Sequence, residues 1–157
     1  MNAGGDDERR LTRTGDSFVK AWAPAREIIF AYGTLNGAGP AAGVYIVHPD
    51  GTRRRKVVST GSYEEPPASW SRDGRLIVYA DSHGIATVRP SDGYVRRLAR
   101  GGNAPAWGPG DREIAFTISV YDNERRAGIW IVNRNGSGAR RIATAYEECY
   151  DPTWAPR

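Results

Sequence analysis

Apolar residues along this chain gather in short runs, and the runs recur in one order. A tryptophan and a turn come first, followed by a continuous apolar stretch: Ile28-Ile29-Phe30-Ala31 after Trp22, Leu76-Ile77-Val78-Tyr79-Ala80 after Trp70, and Ile114-Ala115-Phe116 after Trp107. The order begins again at Trp154-Ala155-Pro156-Arg157. Continuous runs predict strands covered on both faces, because a strand with one wet face alternates apolar and polar residues. A second run follows in each copy, namely Val44-Tyr45-Ile46-Val47, Ile85-Ala86-Thr87-Val88 and Ile129-Trp130-Ile131-Val132. Its β-branched and aromatic content predicts a further strand. Asp50-Gly51, Asp92-Gly93 and Asn135-Gly136 come next. They predict tight hairpins, since glycine accepts positive φ. Each hairpin leads into an outer strand that is half basic and half apolar: Arg54-Arg55-Lys56-Val57-Val58, Val95-Arg96-Arg97-Leu98 and Arg140-Arg141-Ile142-Ala143.

The tryptophans stand 48, 37 and 47 residues apart. A repeat of roughly 40 to 50 residues with four strands per copy is the signature of a β-propeller blade. The predicted fold class is therefore all-β. It comprises three complete four-stranded antiparallel blades over about 17–60, 64–100 and 103–144, and orphan strands at 9–12 and 150–155, in one partial propeller spanning 1–157. Propellers close with about 4 to 8 blades, so three do not complete a ring. Open blade faces and strand edges invite association. The expectation is a head-to-tail homo-oligomer, most simply a dimer approximating six blades. A fragment of a longer propeller is the competing explanation. The repeated tryptophans Trp22, Trp70, Trp107 and Trp154 are expected to pack blade on blade, each burying about 150 to 250 Å².

Pro105-Ala106-Trp107-Gly108-Pro109, followed by Glu113-Ile114-Ala115-Phe116, and Pro152-Thr153-Trp154-Ala155-Pro156 carry a nameable pattern. With the Asp-Gly turn and the Arg-Arg-Leu of the outer strand, it resembles the TolB-like, WD-repeat-like propeller repeat over nearly the whole chain. Two positions depart from it: Arg72 replaces the second proline of the middle copy, and Lys20 the first proline of the opening copy. The resemblance implies a protein-interaction or ligand-binding module that presents channel-mouth loops on a rigid ring. It also implies a bacterial, periplasmic or extracellular setting, and this inference rests on fold analogy.

Composition narrows the picture. At 157 residues the chain fits one domain, and its 19 glycines and 10 prolines suit strands and turns better than helices. The formal charge of +4 is a modest excess. The single cysteine, Cys149, excludes an internal disulfide framework. The polar opening of the chain has no signal-peptide core, and no apolar run is long enough for membrane insertion.

Candidate chemistry concentrates in the segments that precede each tryptophan strand, where a propeller chain crosses to the channel mouth. These supply Asp16, Tyr63, Glu64, Glu65, Asn103, Glu147, Glu148 and Tyr150 as candidate ligand-binding residues. Two of the four segments are acidic and aromatic, which suits a cation, a basic peptide or a stacked sugar; a solvated rim is the alternative. No Gly-x-Ser-x-Gly elbow is present for a serine nucleophile. His48 and His83, in equivalent-looking loops, are the only histidines, so neither a metal site nor a cofactor is expected. The expected class is a non-catalytic scaffold for protein or ligand binding. An enzyme of the propeller-based carbohydrate-active or peptidase-associated kind would need Glu64, Glu65, Glu147, Glu148 and His83 to converge. A third reading is a purely structural self-assembling repeat. The recurring basic pairs read as charges that protect sheet edges. Without interleaved exposed aromatics they do not indicate nucleic acid. Asn135-Gly136-Ser137 fits a glycosylation pattern, but the hairpin already demands its Asn-Gly.

Overall fold

The computed structural model describes residues 10–12, 16–22, 27–33, 42–61, 66–144 and 152–154. They form three four-stranded antiparallel sheets, each a meander of consecutive strands. Sheet 1 holds β1 (Asp16–Trp22), β2 (Ile28–Gly33), β3 (Gly43–Val47) and β4 (Arg55–Ser59). Sheet 2 holds β5 (Ala68–Trp70), β6 (Ile77–Asp81), β7 (Gly84–Val88) and β8 (Val95–Arg100). Sheet 3 holds β9 (Asn103–Trp107), β10 (Glu113–Ile118), β11 (Gly128–Asn133) and β12 (Arg140–Thr144). Residues 10–12 and 152–154 carry no strand. No helix among the described residues is long and apolar enough to cross a membrane.

The continuous apolar runs become the two middle strands of each sheet, and their side chains point alternately into two different cores. Ile29, Val44 and Ile46 of sheet 1 pack on Ala68, Ile77, Tyr79, Ala86 and Val88 of sheet 2. The opposite face of sheet 2, through Val78, Ala80, Ile85 and Leu98, packs on Ile114, Phe116, Ile118 and Val132 of sheet 3. Each fully buried aliphatic side chain contributes about 1.5 to 3 kcal/mol by leaving water. This double burial is why charged residues do not alternate with apolar ones along β6 or β7.

The outward face of sheet 1 is covered over its middle strands and open at its inner strand. Its Ile28, Phe30, Tyr45 and Val47 are buried, with Leu11 and Tyr32 packed against them. Phe30 and Tyr45 stack at 5.4 Å, and the Arg54 guanidinium lies 5.2 Å from the Tyr45 ring centre. Among the described residues, the large exposed apolar side chains include Val19, 70% exposed, and Trp22, 63% exposed, on the inner strand of sheet 1, and Ile142 on β12.

Of the four repeated tryptophans, Trp70, Trp107 and Trp154 are half-buried. The Trp107 indole N–H donates to the Ser69 carbonyl of sheet 2 at 3.2 Å, and the Trp154 indole N–H donates to the Ala106 carbonyl of sheet 3 at 3.3 Å. In both cases the acceptor is the residue preceding the tryptophan of the sheet before. Trp70 is buried at its indole nitrogen without an acceptor. Trp22 departs from the expected packing role because each tryptophan leans on the preceding sheet, and no sheet among the described residues precedes the first.

The hairpin signals give left-handed glycines, with φ of 82° at Gly51, 74° at Gly93 and 87° at Gly136. In each turn the Asx side chain accepts a backbone N–H two residues on: Asp50 from Thr52, Asp92 from Tyr94 and Asn135 from Ser137. Another glycine opens each third strand. A Cβ on Gly84 would come within 2.4 Å of the Gly101 nitrogen and 2.5 Å of the Ala99 oxygen, so only glycine lets the outer strand approach there.

The basic pairs of the outer strands act as fasteners. The second member of each pair, Lys56, Arg97 or Arg141, reaches the chain entering the third strand, at the carbonyls of Ala42, Gly84 and Ala127 respectively. The first member reaches the next sheet: Arg55 donates to the Pro90 carbonyl at 2.8 Å and Arg96 to that of Asn135 at 3.4 Å. Arg140 turns back to Glu113 at 3.0 Å. The edge-protection reading thus missed their main contacts.

Truncating Trp107 to alanine is expected to cost about 3 to 5 kcal/mol in urea denaturation. The same change at Tyr121, which is 84% exposed, should stay within about 0.5 kcal/mol. Burial, followed by the negative charge of Asp81, pushes the Tyr79 phenol up to about 12 from 10.0, with Arg97 opposing. The fold favours the neutral phenol, so stability is at its full value below pH 10 and falls as pH rises toward 12. Chemical denaturation across that range, with Tyr79→Phe as the reference, checks the slope.

Candidate functional site

In a four-stranded meander the first and third turns lie at one end of the sheet and the second turn at the other. The tryptophan turns and the Asx-Gly turns therefore share an end. Between sheets 2 and 3 this end opens as a cleft of about 690 Å³. It is lined by Arg75 and Leu76 before β6, Arg89, Tyr94 and Arg96 around the β7–β8 hairpin, Gly110, Asp111 and Arg112 before β10, and Asn133, Arg134 and Asn135 at the end of β11. Thr87 completes the wall.

Asp111 forms the seam. It is 6% exposed, its backbone is left-handed at φ 56°, and its two carboxylate oxygens accept the N–H groups of Arg72 and Asp73 at 2.9 and 3.0 Å. One buried carboxylate of sheet 3 thus holds the tryptophan turn of sheet 2. Asp73 answers across the same seam, accepting from Arg134 at 3.0 Å while also taking Ser71 Oγ and the Arg75 N–H. Burial works against the charged form of Asp73. The bonds from Ser71, Arg75 and Arg134 outweigh it and hold the carboxyl below its ordinary value.

Five guanidiniums line this cleft against a single carboxylate. Arg134 is fixed by Asp73 and sits 5.6 Å from the Trp107 ring centre. Arg89 approaches Asp92 at 3.4 Å and lies 5.3 Å from the Tyr94 ring centre. Arg96 is held only by a neutral carbonyl. Arg75 and Arg112 are exposed and use their backbones, with the Arg112 carbonyl accepting from the Arg134 N–H at 2.8 Å; neither guanidinium has a carboxylate partner.

Of the sequence-derived mouth residues, Tyr63, Glu64, Glu65, Glu147, Glu148 and Tyr150 lie outside the described residues, as does the side chain of Asp16. Asp16 and Asn103 open β1 and β9, at the sheet end opposite the arginine cleft. Asn103 uses its side chain locally, accepting from the Ala104 N–H at 2.9 Å, and its carbonyl accepts from Thr117 Oγ1 at 3.3 Å. His48 and His83 are not equivalent. His48 begins the β3–β4 turn beside Asp50 at 3.0 Å, whereas His83 lies in the β6–β7 turn at the other end of its sheet, 3.8 Å from Asp81. No group of three or more His, Cys, Asp or Glu among the described residues could hold a metal ion. The arginine cleft escaped the sequence reading because its walls come from turns about 40 residues apart. The signal available was an arginine five residues after both Trp70 and Trp107.

No protein-family model matches the chain, and no curated protein is similar to it. Solved structures are. The chain is similar to the TolB of Agrobacterium tumefaciens, described as putative, with a TM-score of 0.64 and 15% identity over 83% of this chain and 50% of that one. It is similar to a chain of the nidogen/laminin complex, with a TM-score of 0.62 and 12% identity over 83% and 48%. The fold is that of a β-propeller. A third likeness is to an oligogalacturonate lyase in complex with manganese, with a TM-score of 0.56 and 19% identity over 76% and 33%. The chain spans half or less of each of these neighbours.

Asp111→Ala removes both acceptors of the seam and should cost about 1 to 3 kcal/mol. Asp111→Asn, which tolerates the left-handed backbone and keeps one acceptor, should cost less. Thermal denaturation of the two variants ranks them.

Proposed function

We propose that this chain is a non-catalytic propeller scaffold of the TolB-like kind. Its first partner is another copy of itself, added head to tail at the inner-strand end of blade 1. One observation carries the reading: Trp22 is 63% exposed, whereas the corresponding Trp107 and Trp154 donate their indole N–H to the preceding blade. In both locks the acceptor is the residue before a tryptophan, and Thr153 holds that place before Trp154. A second copy offering Thr153 would supply Trp22 with the contact its counterparts have and would cover Val19 beside it. Burying an exposed tryptophan and valine at an interface centre favours association, because tryptophan is among the side chains that dominate binding energy. The repeat grammar and the shared propeller fold support the TolB-like assignment.

Light scattering at micromolar concentration should give a multiple of 17.2 kDa. Trp22→Lys should reduce it to one chain length with the far-ultraviolet signature unchanged. A monomeric parent chain, or an assembly indifferent to Trp22→Lys, overturns the reading.

A further inference from the structure

We propose that the cleft between blades 2 and 3 is a binding site for a small oligoanion, a compound carrying two or more phosphate or carboxylate groups. The site is independent of self-association, because it lies between two blades of one chain.

Three observations carry it. The first is uncompensated charge: of five lining guanidiniums, Arg134 and Arg89 have carboxylate partners, whereas Arg75, Arg96 and Arg112 have none. Asp111, the one lining carboxylate, spends both oxygens on backbone N–H groups of the neighbouring turn. The second is placement. Arg75 and Arg112 hold the same position in successive blades, five residues after the tryptophan, where blade 1 has Glu27. The repeat does not require a cation there, and neither position is on an outer edge strand. The third is size and rigidity: about 690 Å³ falls among the volumes of small-molecule sites. Its two walls are tied together by the Asp111 and Asp73 seams, so the guanidiniums need little ordering on binding.

Guanidinium forks bind phosphate and carboxylate through paired N–H donors. Several forks around one cleft favour a ligand with several anionic groups over a single one. Tyr94, half exposed under Arg89, and Asn133 and Asn135 add a flat apolar surface and neutral polar groups for the ligand's uncharged part.

The test is isothermal titration calorimetry of the whole chain with tripolyphosphate and, separately, with citrate, which distinguishes the two anionic groups. Two double variants of equal net charge are compared with the parent, Arg75→Gln with Arg112→Gln, and Arg53→Gln with Arg125→Gln outside the cleft. Neither cleft arginine has a side-chain partner, so the fold is retained, and circular dichroism confirms it. Saturable binding of either probe is expected in the parent and the outer variant, about tenfold weaker for each cleft arginine removed. It should also weaken with added salt. Orthophosphate should bind more weakly than tripolyphosphate. Equal loss in both double variants reduces the effect to overall charge and overturns the site. So does failure of both probes to saturate by about 1 mM.

Discussion

The structure depends on burying the middle strands of each sheet from both sides at once. Sheet 2 shows this most clearly, since Ile77 and Tyr79 face one neighbour while Val78 and Ala80 face the other. A strand with no wet face has no place for charge. Among the described residues, Asp, Glu, Lys and Arg therefore sit mostly on outer strands, turns and connections. The basic fasteners of β4, β8 and β12 and the arginine cleft both follow from that displacement of charge.

Polar contacts then fix what apolar packing leaves free. Apolar contact is nearly indifferent to a slide of one sheet over the next, whereas a hydrogen bond is not. The Trp107 and Trp154 locks, the reach of Arg55 and Arg96 to the next turn, and the Asp111 seam each set the relative height of adjacent sheets. They join residues 35 to 48 positions apart, close to one repeat length. A repeating sequence makes such contacts possible at every junction once one is in place.

Much of the fold was legible because its causes are local. The apolar runs, the Asx-Gly pairs and the tryptophan spacing each report a constraint within a few residues or one repeat, and the sheets follow them. The glycines that open the third strands were present in the sequence, but their reason is the approach of an outer strand about 15 residues on, which no local pattern states. The basic pairs were read as edge charges because their acceptors are backbone carbonyls, and a carbonyl has no letter in the sequence. The cleft was hidden for a related reason. Arg75, Arg89, Arg96, Arg112 and Arg134 are dispersed along the chain, and only the stacking of two turn regions gathers them. Most of the acidic and aromatic mouth residues fall outside the described residues, so the structure neither gathers nor separates them.

The unanswered indole of Trp70 makes the stack asymmetric. Between blades 2 and 3, an indole lock, a buried carboxylate, an ion pair and an arginine reach act together; between blades 1 and 2, the reach of Arg55 joins the apolar contact of the two sheets. A buried donor without an acceptor costs about 1 to 3 kcal/mol, so the first junction lacks a lock and also carries a penalty. The indole that ties blade 3 to blade 2 thus has no counterpart bond at Trp70, and the register of blade 2 on blade 1 rests on other contacts.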